Sequence, residues 1–326
     1  MIMITVAFLL GMILCLLFGV PYIDFLKKKM IGQYVKDLAP ESHAQKQGTP
    51  TTGGVFIILA VIIASIIVLM LAQRLSTDAF IVLITLAFYT FAGFQDDYIK
   101  IKGKGNDGLT PKGKLLRQIA IALLPTIYVM MTNPYGSYFS IGSFVVNLHW
   151  FYPLLAVFII TGASNAYNLT DGLDGLAAST GVPTFVACSI ISLFSGYPEV
   201  AIISATVAGA LVGFLKYNKP KAQVFMGDTG SLAIGGLLGT LAVMGKFEFL
   251  LIFLAAIFVT ETLSVIIQVA SFKTTGKRVF KMAPIHHHFE LCGWSEKKVV
   301  AVFAIVSCIC SVFALGLFEL FKKGIL

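Results

Sequence analysis

Five aspartates at the ends of long apolar stretches are the residues of this chain that could do chemistry together. They come from three separate parts of the sequence: Asp96, Asp97, Asp171, Asp174 and Asp228. An ionised residue within a membrane span costs roughly 3 kcal/mol on insertion scales, so those that are retained are usually buried in protein and functional. The pattern predicts one carboxylate site, built at a single depth.

Asp96 and Asp97 lie side by side where the third apolar stretch gives way to a basic loop. A solvated helix end would also explain two acidic residues there. Adjacent carboxylates suit Mg²⁺ binding, or general-base catalysis by a group whose pKa is raised by its neighbour. The basic loop favours the functional interpretation.

A second polar stretch repeats an amide or a carboxylate at every third position: Asn165, Asn168, Asp171 and Asp174. On a helix this spacing winds slowly around one side, which predicts one polar face. Glycines at 172 and 175 would let the backbone approach a ligand or turn tightly. A purely structural polar turn is the alternative.

The stretch Phe225–Ser231 places Asp228 among glycines and hydroxyl residues just before another apolar stretch. Asp228 or Thr229 could cap the following helix by accepting its first N–H groups. A helix N-terminus with glycines is also a natural site for phosphate or metal-bound phosphate. Capping and ligand binding are compatible here.

Three consecutive histidines, His286, His287 and His288, lie in the last basic loop. Successive side chains on a helix point about 100° apart, so the three cannot easily share one zinc ion. Phosphate contact or proton transfer suits them better. Glu261 and Gln268 are two turns apart in the ninth apolar stretch and share a face, for which hydrogen bonding within the core is the alternative.

Together these residues are the set that phosphoryl transfer with Mg²⁺ requires. Carboxylates hold the metal, cations neutralise the phosphates, and a base prepares the attacking oxygen. No Walker A sequence is present, which disfavours nucleotide-driven pumping. A transporter or lipid flippase would carry charges along a midplane pathway, whereas these apolar stretches are nearly free of charge apart from Glu261.

Membrane helices must position these residues. Hydrophobic residues make up 57% of the 326 and charged residues only 12%, about half the charged share of a soluble domain. The mean hydropathy is +0.89. Stretches of about 20 apolar residues predict spans at 3–26, 54–73, 78–95, 115–131, 150–168, 175–194, 199–217, 229–245, 247–271 and 298–320. The last but one is long enough to be bent or broken.

The basic residues predict the orientation of these ten spans. With both termini outside, the inner loops hold all but four of the 24 Lys and Arg residues: Arg74, Lys246, Lys322 and Lys323 are the exceptions. This asymmetry follows the positive-inside rule and puts the aspartates at the cytoplasmic face. The net charge of +8 therefore indicates a rim for anionic headgroups and phosphate-bearing solutes, and does not suggest nucleic acid. Together with the predicted phosphoryl transfer, this arrangement predicts a single transmembrane transferase domain, residues 1–326.

Several long motifs resemble those of the phospho-N-acetylmuramoyl-pentapeptide-transferases, within the polyprenyl-phosphate N-acetylhexosamine-1-phosphate transferase superfamily. They are Gly48–Gly54, Asp96-Asp97-Tyr98, Asn165–Leu176, Phe225–Ser231, Ser271–Arg278 and Pro284–Glu290, and they extend over almost the whole chain. The resemblance implies an all-α fold of ten transmembrane helices, Mg²⁺ dependence, a homodimer and a multi-pass protein of the bacterial inner membrane. It also implies transfer of phospho-MurNAc-pentapeptide from UDP-MurNAc-pentapeptide to undecaprenyl phosphate, which forms lipid I and UMP in peptidoglycan synthesis.

The resemblance also implies roles for individual residues. Asp228 would bind Mg²⁺, Asp96 would deprotonate the lipid phosphate, and Phe225 would stack on uracil. The implied catalytic residues are Asp96, Asp97, Asp228 and His288. The implied substrate-binding residues are Lys46, Thr51, Lys114, Asn165, Asn168, Asp171, Asp174, Phe225, Gly227, Ser231, Glu261, Gln268, His286 and His287.

Two questions stay open at this point. The lipid phosphate could attack the β-phosphate directly, or an aspartate could first form a covalent phospho-sugar intermediate. A related enzyme that moves GlcNAc-1-phosphate is the nearest rival function. The motifs Ser271–Arg278 and Pro284–Glu290 favour the muramoyl enzyme.

Overall fold

The computed structural model describes residues 1–29, 48–103 and 108–325. The elements in this part of the chain are α1 (Ile2–Lys28), α2 (Gly54–Leu71), α3 (Thr77–Gly103), α4 (Pro111–Thr132), β1 (Tyr138–Ile141), β2 (Phe144–Asn147), α5 (Tyr152–Thr170), α6 (Leu176–Phe194), α7 (Pro198–Asn218), α8 (Gly227–Met244), α9 (Glu248–Leu254), α10 (Ala256–Thr275), α11 (Ile285–Leu291) and α12 (Glu296–Lys322). The predicted all-α class is confirmed.

Nine of the described helices are long and apolar enough to cross a membrane: α1–α4, α6–α8, α10 and α12. The predicted fifth span forms α5, which is not among the nine because its last turns carry Asn165 and Asn168. The predicted ninth span is broken at Ala255 into α9 and α10, as its length suggests. The chain is a multi-pass membrane protein.

A small antiparallel hairpin, β1–β2, was not predicted. Tyr138 pairs with Asn147, and Ile141 pairs with Phe144. Each strand has only four residues, too few for alternating hydrophobicity to be recognised in a sequence that also contains many membrane helices.

Helix α8 is the centre of the bundle. Every residue from Thr229 to Met244 is buried, as expected for a helix that is apolar on all sides and surrounded by other helices. Small residues let its neighbours come close. A Cβ atom at Gly93 of α3 would overlap the carbonyl oxygen of Asp228. Because Asp97 lies one turn beyond Gly93, this close approach brings its carboxylate to the start of α8.

A buried polar group holds the opposite end of α8. Lys246, in the turn after α8, donates to Glu248 at 2.9 Å and to the Tyr152 hydroxyl at 2.8 Å. The hydroxyl in turn donates to Glu248 at 2.6 Å. The three side chains pair among themselves and fix α8, α9 and the start of α5 at a constant separation.

The histidine helix α11 is held by a second, smaller apolar cluster. The Phe289 ring packs against Trp294, with ring centroids 4.8 Å apart, and against Phe303 of α12. Leu173 and Leu176 belong to the same cluster. The cluster therefore fixes α11 beside the turn that contains Asp171.

Candidate active site

Asp228 in the first turn of α8 is contacted by side chains from three other helices. Its Oδ1 accepts a hydrogen bond from Asn168 Nδ2 of α5 at 2.7 Å. Its Oδ2 accepts from the ammonium groups of Lys100 on α3 and Lys114 on α4, each at 2.8 Å. Two ammonium groups on one carboxylate oxygen keep Asp228 ionised. Asn168 also donates to Ser231 Oγ at 2.7 Å.

Asp97 caps helix α8 from α3. Its Oδ1 accepts from the Asp228 amide at 3.1 Å, and its Oδ2 accepts from the amide and the hydroxyl of Thr229 at 2.9 and 2.6 Å. The prediction that Asp228 or Thr229 caps this helix is wrong, because a neighbouring helix comes close enough to supply the carboxylate. With both oxygens engaged, Asp97 holds the backbone that carries Asp228.

Asp96 has a less saturated carboxylate. It is 2% exposed, and its Oδ1 accepts from the Leu109 amide at 2.8 Å. Its Oδ2 forms an ion pair with Lys100 but is a buried atom without a hydrogen bond in acceptable geometry. Besides this ion pair, the oxygen keeps lone-pair capacity for a ligand or a proton.

The three carboxylates form a group that could hold a metal ion. One oxygen from each of Asp96, Asp97 and Asp228 lies within 4.8 Å of the others. Three carboxylates against the ammonium groups of Lys100 and Lys114 leave one net negative charge among these side chains. An all-oxygen donor set with excess negative charge fits a hard divalent cation such as Mg²⁺.

The Asn165–Asp174 stretch does not form one helical face. Helix α5 ends at Thr170, so only the two asparagines lie on it, and the predicted single face is wrong for the aspartates. Asp174 accepts from the amides of Lys221 and Ala222 at 3.1 and 2.9 Å, which fixes the loop before α8. Burial, then the charge of Asp228, raises the pKa of Asp171 well above its usual range.

Asn165 is directed away from the aspartates. Its Nδ2 donates to Gln118 Oε1 at 2.6 Å and to the Thr161 carbonyl at 2.8 Å. Its Oδ1 accepts from Gln118 Nε2 at 3.3 Å. Each atom of this amide therefore has a protein partner.

The Gly48–Gly54 motif pairs with the loop before α8. The Phe225 amide donates to the Pro50 carbonyl, and the Gly53 amide donates to the Phe225 carbonyl, both at 2.8 Å. Gly227 has a φ of +70°, and a Cβ atom there would lie 2.8 Å from Thr51 Oγ1. Glycine is needed at this position. The structure thus brings Thr51, Phe225 and Gly227 together beside Asp97, whereas Lys46 lies outside the described residues.

Comparison with known proteins identifies the family. The family model described as glycosyl transferase family 4 matches residues 79–246. The chain is 45% identical over 312 residues to the phospho-N-acetylmuramoyl-pentapeptide-transferase of Halalkalibacterium halodurans, covering 95% of each chain. It is 47% identical over 312 residues to the enzyme of the same name from Oceanobacillus iheyensis, covering 94% of each. A third relative, from Bacillus pumilus, is 46% identical over 299 residues and covers 90% of this chain and 91% of its own.

The chain belongs to the phospho-N-acetylmuramoyl-pentapeptide-transferase family.

The three histidines of this transferase have different partners. His286 is buried, and its Nδ1 lies 3.1 Å from Oε1 of the equally buried Glu261. A Cβ atom at Gly172 would overlap its ring, so His286 lies directly beside the Asp171 turn. His287 pairs with Glu290 at 2.8 Å. His288 accepts from the Lys281 amide at 3.1 Å and packs on Phe280.

Gln268 of the transferase also binds the loop that precedes the histidines. Its Oε1 accepts from the amides of Val279 and Phe280 at 3.0 and 2.9 Å, and its Nε2 donates to the Phe280 carbonyl at 2.9 Å. The predicted hydrogen-bonding alternative describes these contacts. The predicted catalytic residue His288 and the predicted substrate residue Gln268 thus both contact the 279–281 segment.

Two further residues near the site, Lys100 and Gln118, were not predicted from the sequence. Lys100 is one of several lysines near the end of α3, and only its position one turn after Asp96 sets it apart. Gln118 is a lone amide in an apolar helix. Its partner Asn165 is 47 residues away in the sequence, so no local pattern could reveal the contact.

Proposed function

We propose that this chain transfers phospho-MurNAc-pentapeptide from UDP-MurNAc-pentapeptide to undecaprenyl phosphate, forming lipid I and UMP in bacterial peptidoglycan synthesis. Membership of the transferase family supports the reaction. One observation carries the proposal: the carboxylates of Asp96, Asp97 and Asp228 lie close together, and the ammonium groups of two lysines, Lys100 and Lys114, contact this cluster. This set can bind a metal, neutralise phosphates and accept a proton at one place.

In the proposed mechanism Asp228 is the principal ligand of Mg²⁺. Its carboxylate is fixed by Asn168 on one oxygen and by the two lysines on the other. Asp96 and Asp97 each bring an oxygen within 4.8 Å of this carboxylate and add negative charge that would attract the ion. When bound, Mg²⁺ would neutralise charge on the diphosphate and polarise the phosphorus that is attacked.

Asp96 is the proposed general base. Its Oδ1 is held by the Leu109 amide, which orients the carboxylate while Oδ2 accepts the proton of the lipid phosphate. Asp97 cannot easily do the same, because its oxygens accept three hydrogen bonds from the first turn of α8. Direct attack by the lipid phosphate on the β-phosphate is the pathway that this division of roles favours.

The remaining predicted residues are proposed to bind the substrates. Lys114, with Lys100, would contact phosphate oxygens, and Phe225 would stack on uracil. Asp171, whose raised pKa favours its protonated form, could donate a hydrogen bond to the nucleotide or accept one from it. The other proposed substrate-binding positions are Lys46, Thr51, Asn168, Asp174, Gly227, Ser231, Glu261, Gln268, His286 and His287, with His288 as a further catalytic residue.

The proposed arrangement in the membrane has ten spans, with α5 as the fifth and the α9–α10 pair as the ninth. Both termini face outward, and the aspartates face the cytoplasm, where the nucleotide substrate is present. The excess of Lys and Arg in the loops at the aspartate end supports this orientation. A homodimer in the bacterial inner membrane, each copy a single transferase domain, completes the proposal.

Release of UMP by the purified protein tests the function. The protein in detergent is incubated with undecaprenyl phosphate and either UDP-MurNAc-pentapeptide or UDP-GlcNAc, with and without Mg²⁺. We expect Mg²⁺-dependent UMP and lipid I from the first nucleotide only. Release of UMP only from UDP-GlcNAc would instead identify a GlcNAc-1-phosphate transferase.

A further inference from the structure

Two side-chain amides that bond to each other, those of Gln118 and Asn165, join α4 to α5 one helical turn away from the residues that contact Asp228. Gln118 is 1% exposed, and each of its two side-chain polar atoms bonds to the amide of Asn165. The Thr161 carbonyl, 2.8 Å from Asn165 Nδ2, can accept a hydrogen bond from the nitrogen of the side-chain amide but not from its oxygen. It therefore fixes the orientation of the Asn165 amide and, through the pair, that of Gln118.

A third helix fixes the backbone of Gln118. The Tyr89 hydroxyl of α3 donates to the Gln118 carbonyl at 3.0 Å. Tyr89 is fully buried, and a Cβ atom at Gly236 of α8 would lie 2.8 Å from its ring. The amide pair thus lies where α3, α4, α5 and α8 meet.

Both members of the pair are one turn away from residues that hold Asp228. Lys114 lies four residues before Gln118 on α4, and Asn168 lies three residues after Asn165 on α5, so each shares a face with its neighbour. Lys114 and Asn168 bond to opposite oxygens of the Asp228 carboxylate. The distance between α4 and α5 therefore determines how that carboxylate is held.

We infer that Gln118 is a positioning residue: through its pair with Asn165 it sets the α4–α5 separation that places Lys114 and Asn168 on Asp228. The inference rests on the proposed function, in which Asp228 and Lys114 act on the diphosphate. It also reassigns Asn165, expected from the sequence to bind substrate, to the same positioning role. Neither side chain touches substrate in this account.

The test uses the full-length protein purified in detergent, with kcat and KM for the nucleotide substrate and Tm measured for each variant. Gln118→Met keeps the volume but removes the amide, and should lower kcat about tenfold with KM changed by about twofold at most. Gln118→Asn should behave similarly, because the shorter amide cannot reach its partner. The exchanged pair Gln118→Asn/Asn165→Gln restores the combined length and should recover kcat to within about threefold of the parent.

The matched control is Thr126→Val, two turns further along α4. Thr126 is buried, and its hydroxyl donates to the Ala122 carbonyl of its own helix, so its loss tests general damage to α4. Its kcat should stay within about twofold of the parent. Full activity of Gln118→Met would overturn the inference. So would recovery of Tm, but not of kcat, in the exchanged pair.

Coupling to Lys114 separates the inference from the proposed function. If Gln118 acts partly by positioning Lys114, the loss of kcat in Lys114→Met/Gln118→Met should be smaller than the product of the two single losses. Multiplied losses would overturn the inference. Full activity of Lys114→Met would refute the proposed role of Lys114 itself, and the same comparison with Asn168→Ala in place of Lys114→Met would then decide whether Gln118 acts through Asn168.

Discussion

At the scale of single residues, the three clustered aspartates have different partners. Asp228 faces two lysines and an asparagine, Asp97 faces backbone N–H groups, and Asp96 keeps one oxygen without a hydrogen bond. The same side-chain type therefore serves as a metal ligand, a helix cap and a base in the proposed mechanism. These differences come from the neighbouring groups of each carboxylate, so substitution of each aspartate should affect stability and activity differently.

Substituting the two adjacent aspartates should separate stability from catalysis. Asp97→Asn keeps one acceptor oxygen and turns an amide nitrogen toward N–H donors, so it should cost about 1–2 kcal/mol of stability and also lower activity. Asp96→Asn removes a charge from a crowded carboxylate group, so it should abolish UMP release while leaving Tm unchanged or higher. Tm and UMP release are measured on both proteins. An Asp96→Asn protein that remains active would refute the assignment of the base.

Removal of the proposed metal ligand should abolish the response to Mg²⁺. Asp228→Ala leaves Lys100 and Lys114 without the carboxylate that both contact at 2.8 Å, and deletes the carboxylate assigned to the metal. We expect loss of UMP release at all Mg²⁺ concentrations and loss of the Mg²⁺-induced rise in Tm. Asp78→Ala, an exposed position whose carboxylate contacts Tyr128, is the control. If UMP release in detergent stays intact in Asp228→Ala, the metal role is wrong.

The sequence was sufficient to select the aspartates but not to assign their partners. A carboxylate beside an apolar span is costly unless it is used or paired, so its presence is informative. Asp97 and Thr229 are 132 residues apart, and no local spacing encodes their contact. For this reason the sequence suggests a possible cap from the first turn of α8 itself, whereas the cap comes from Asp97 of α3.

At the scale of elements, the approach of α3 to α8 positions the site. Gly93 removes the Cβ atom that would overlap the Asp228 carbonyl, and Asp97 follows one turn later on the same face. The predicted spans were recognisable because apolar length alone signals a membrane helix. The sequence does not show which faces of these helices meet, because nearly all of their side chains are apolar. An apolar face is equally stable against lipid and against another helix.

Gly93→Ala should therefore disrupt the site. The added methyl group forces α3 away from α8, which should lower the free energy of unfolding by about 1–3 kcal/mol. It should also lower UMP release by about tenfold or more, because Asp96 and Asp97 would no longer be aligned with Asp228. Gly162→Ala makes the same change within α5, where no atom lies within 4 Å of the new Cβ. That variant should be as stable as the parent or about 1 kcal/mol more stable. Equal Tm and activity for the two variants would contradict this account of α3.

The break between α9 and α10 shows that an apolar sequence pattern does not locate an interruption within a membrane helix. Thr184 of α6 donates to the Leu254 carbonyl at 2.9 Å and so satisfies an acceptor beside the break at Ala255. Neither glycine nor proline marks this position in the sequence. Only the unusual length of the stretch indicated a bend, and the partner that stabilises the break became evident from the structure.

At the scale of the whole molecule, the charge distribution and the site coincide. Lysines from α3 and α4 partly neutralise the aspartates, and the loops at this end carry most of the basic residues of the chain. At the opposite end, Lys246 is paired with Glu248 inside the protein. In the proposed orientation, a cytoplasmic nucleotide would meet positive charge and the carboxylates proposed to bind the metal on the same surface.

Thiol labelling of intact cells tests this orientation. Cys292 is exposed just after α11, at the end predicted to be cytoplasmic, so a membrane-impermeant maleimide should label it only after the cells are permeabilised. Lys323→Cys, in a protein with Cys292→Ser, should be labelled in intact cells, because the residue follows α12 at the other end. Both proteins also carry Cys308→Ala and Cys310→Ala to remove the thiols within α12. The reverse labelling pattern would place the aspartates outside, away from any cytoplasmic nucleotide, and would refute the proposed topology.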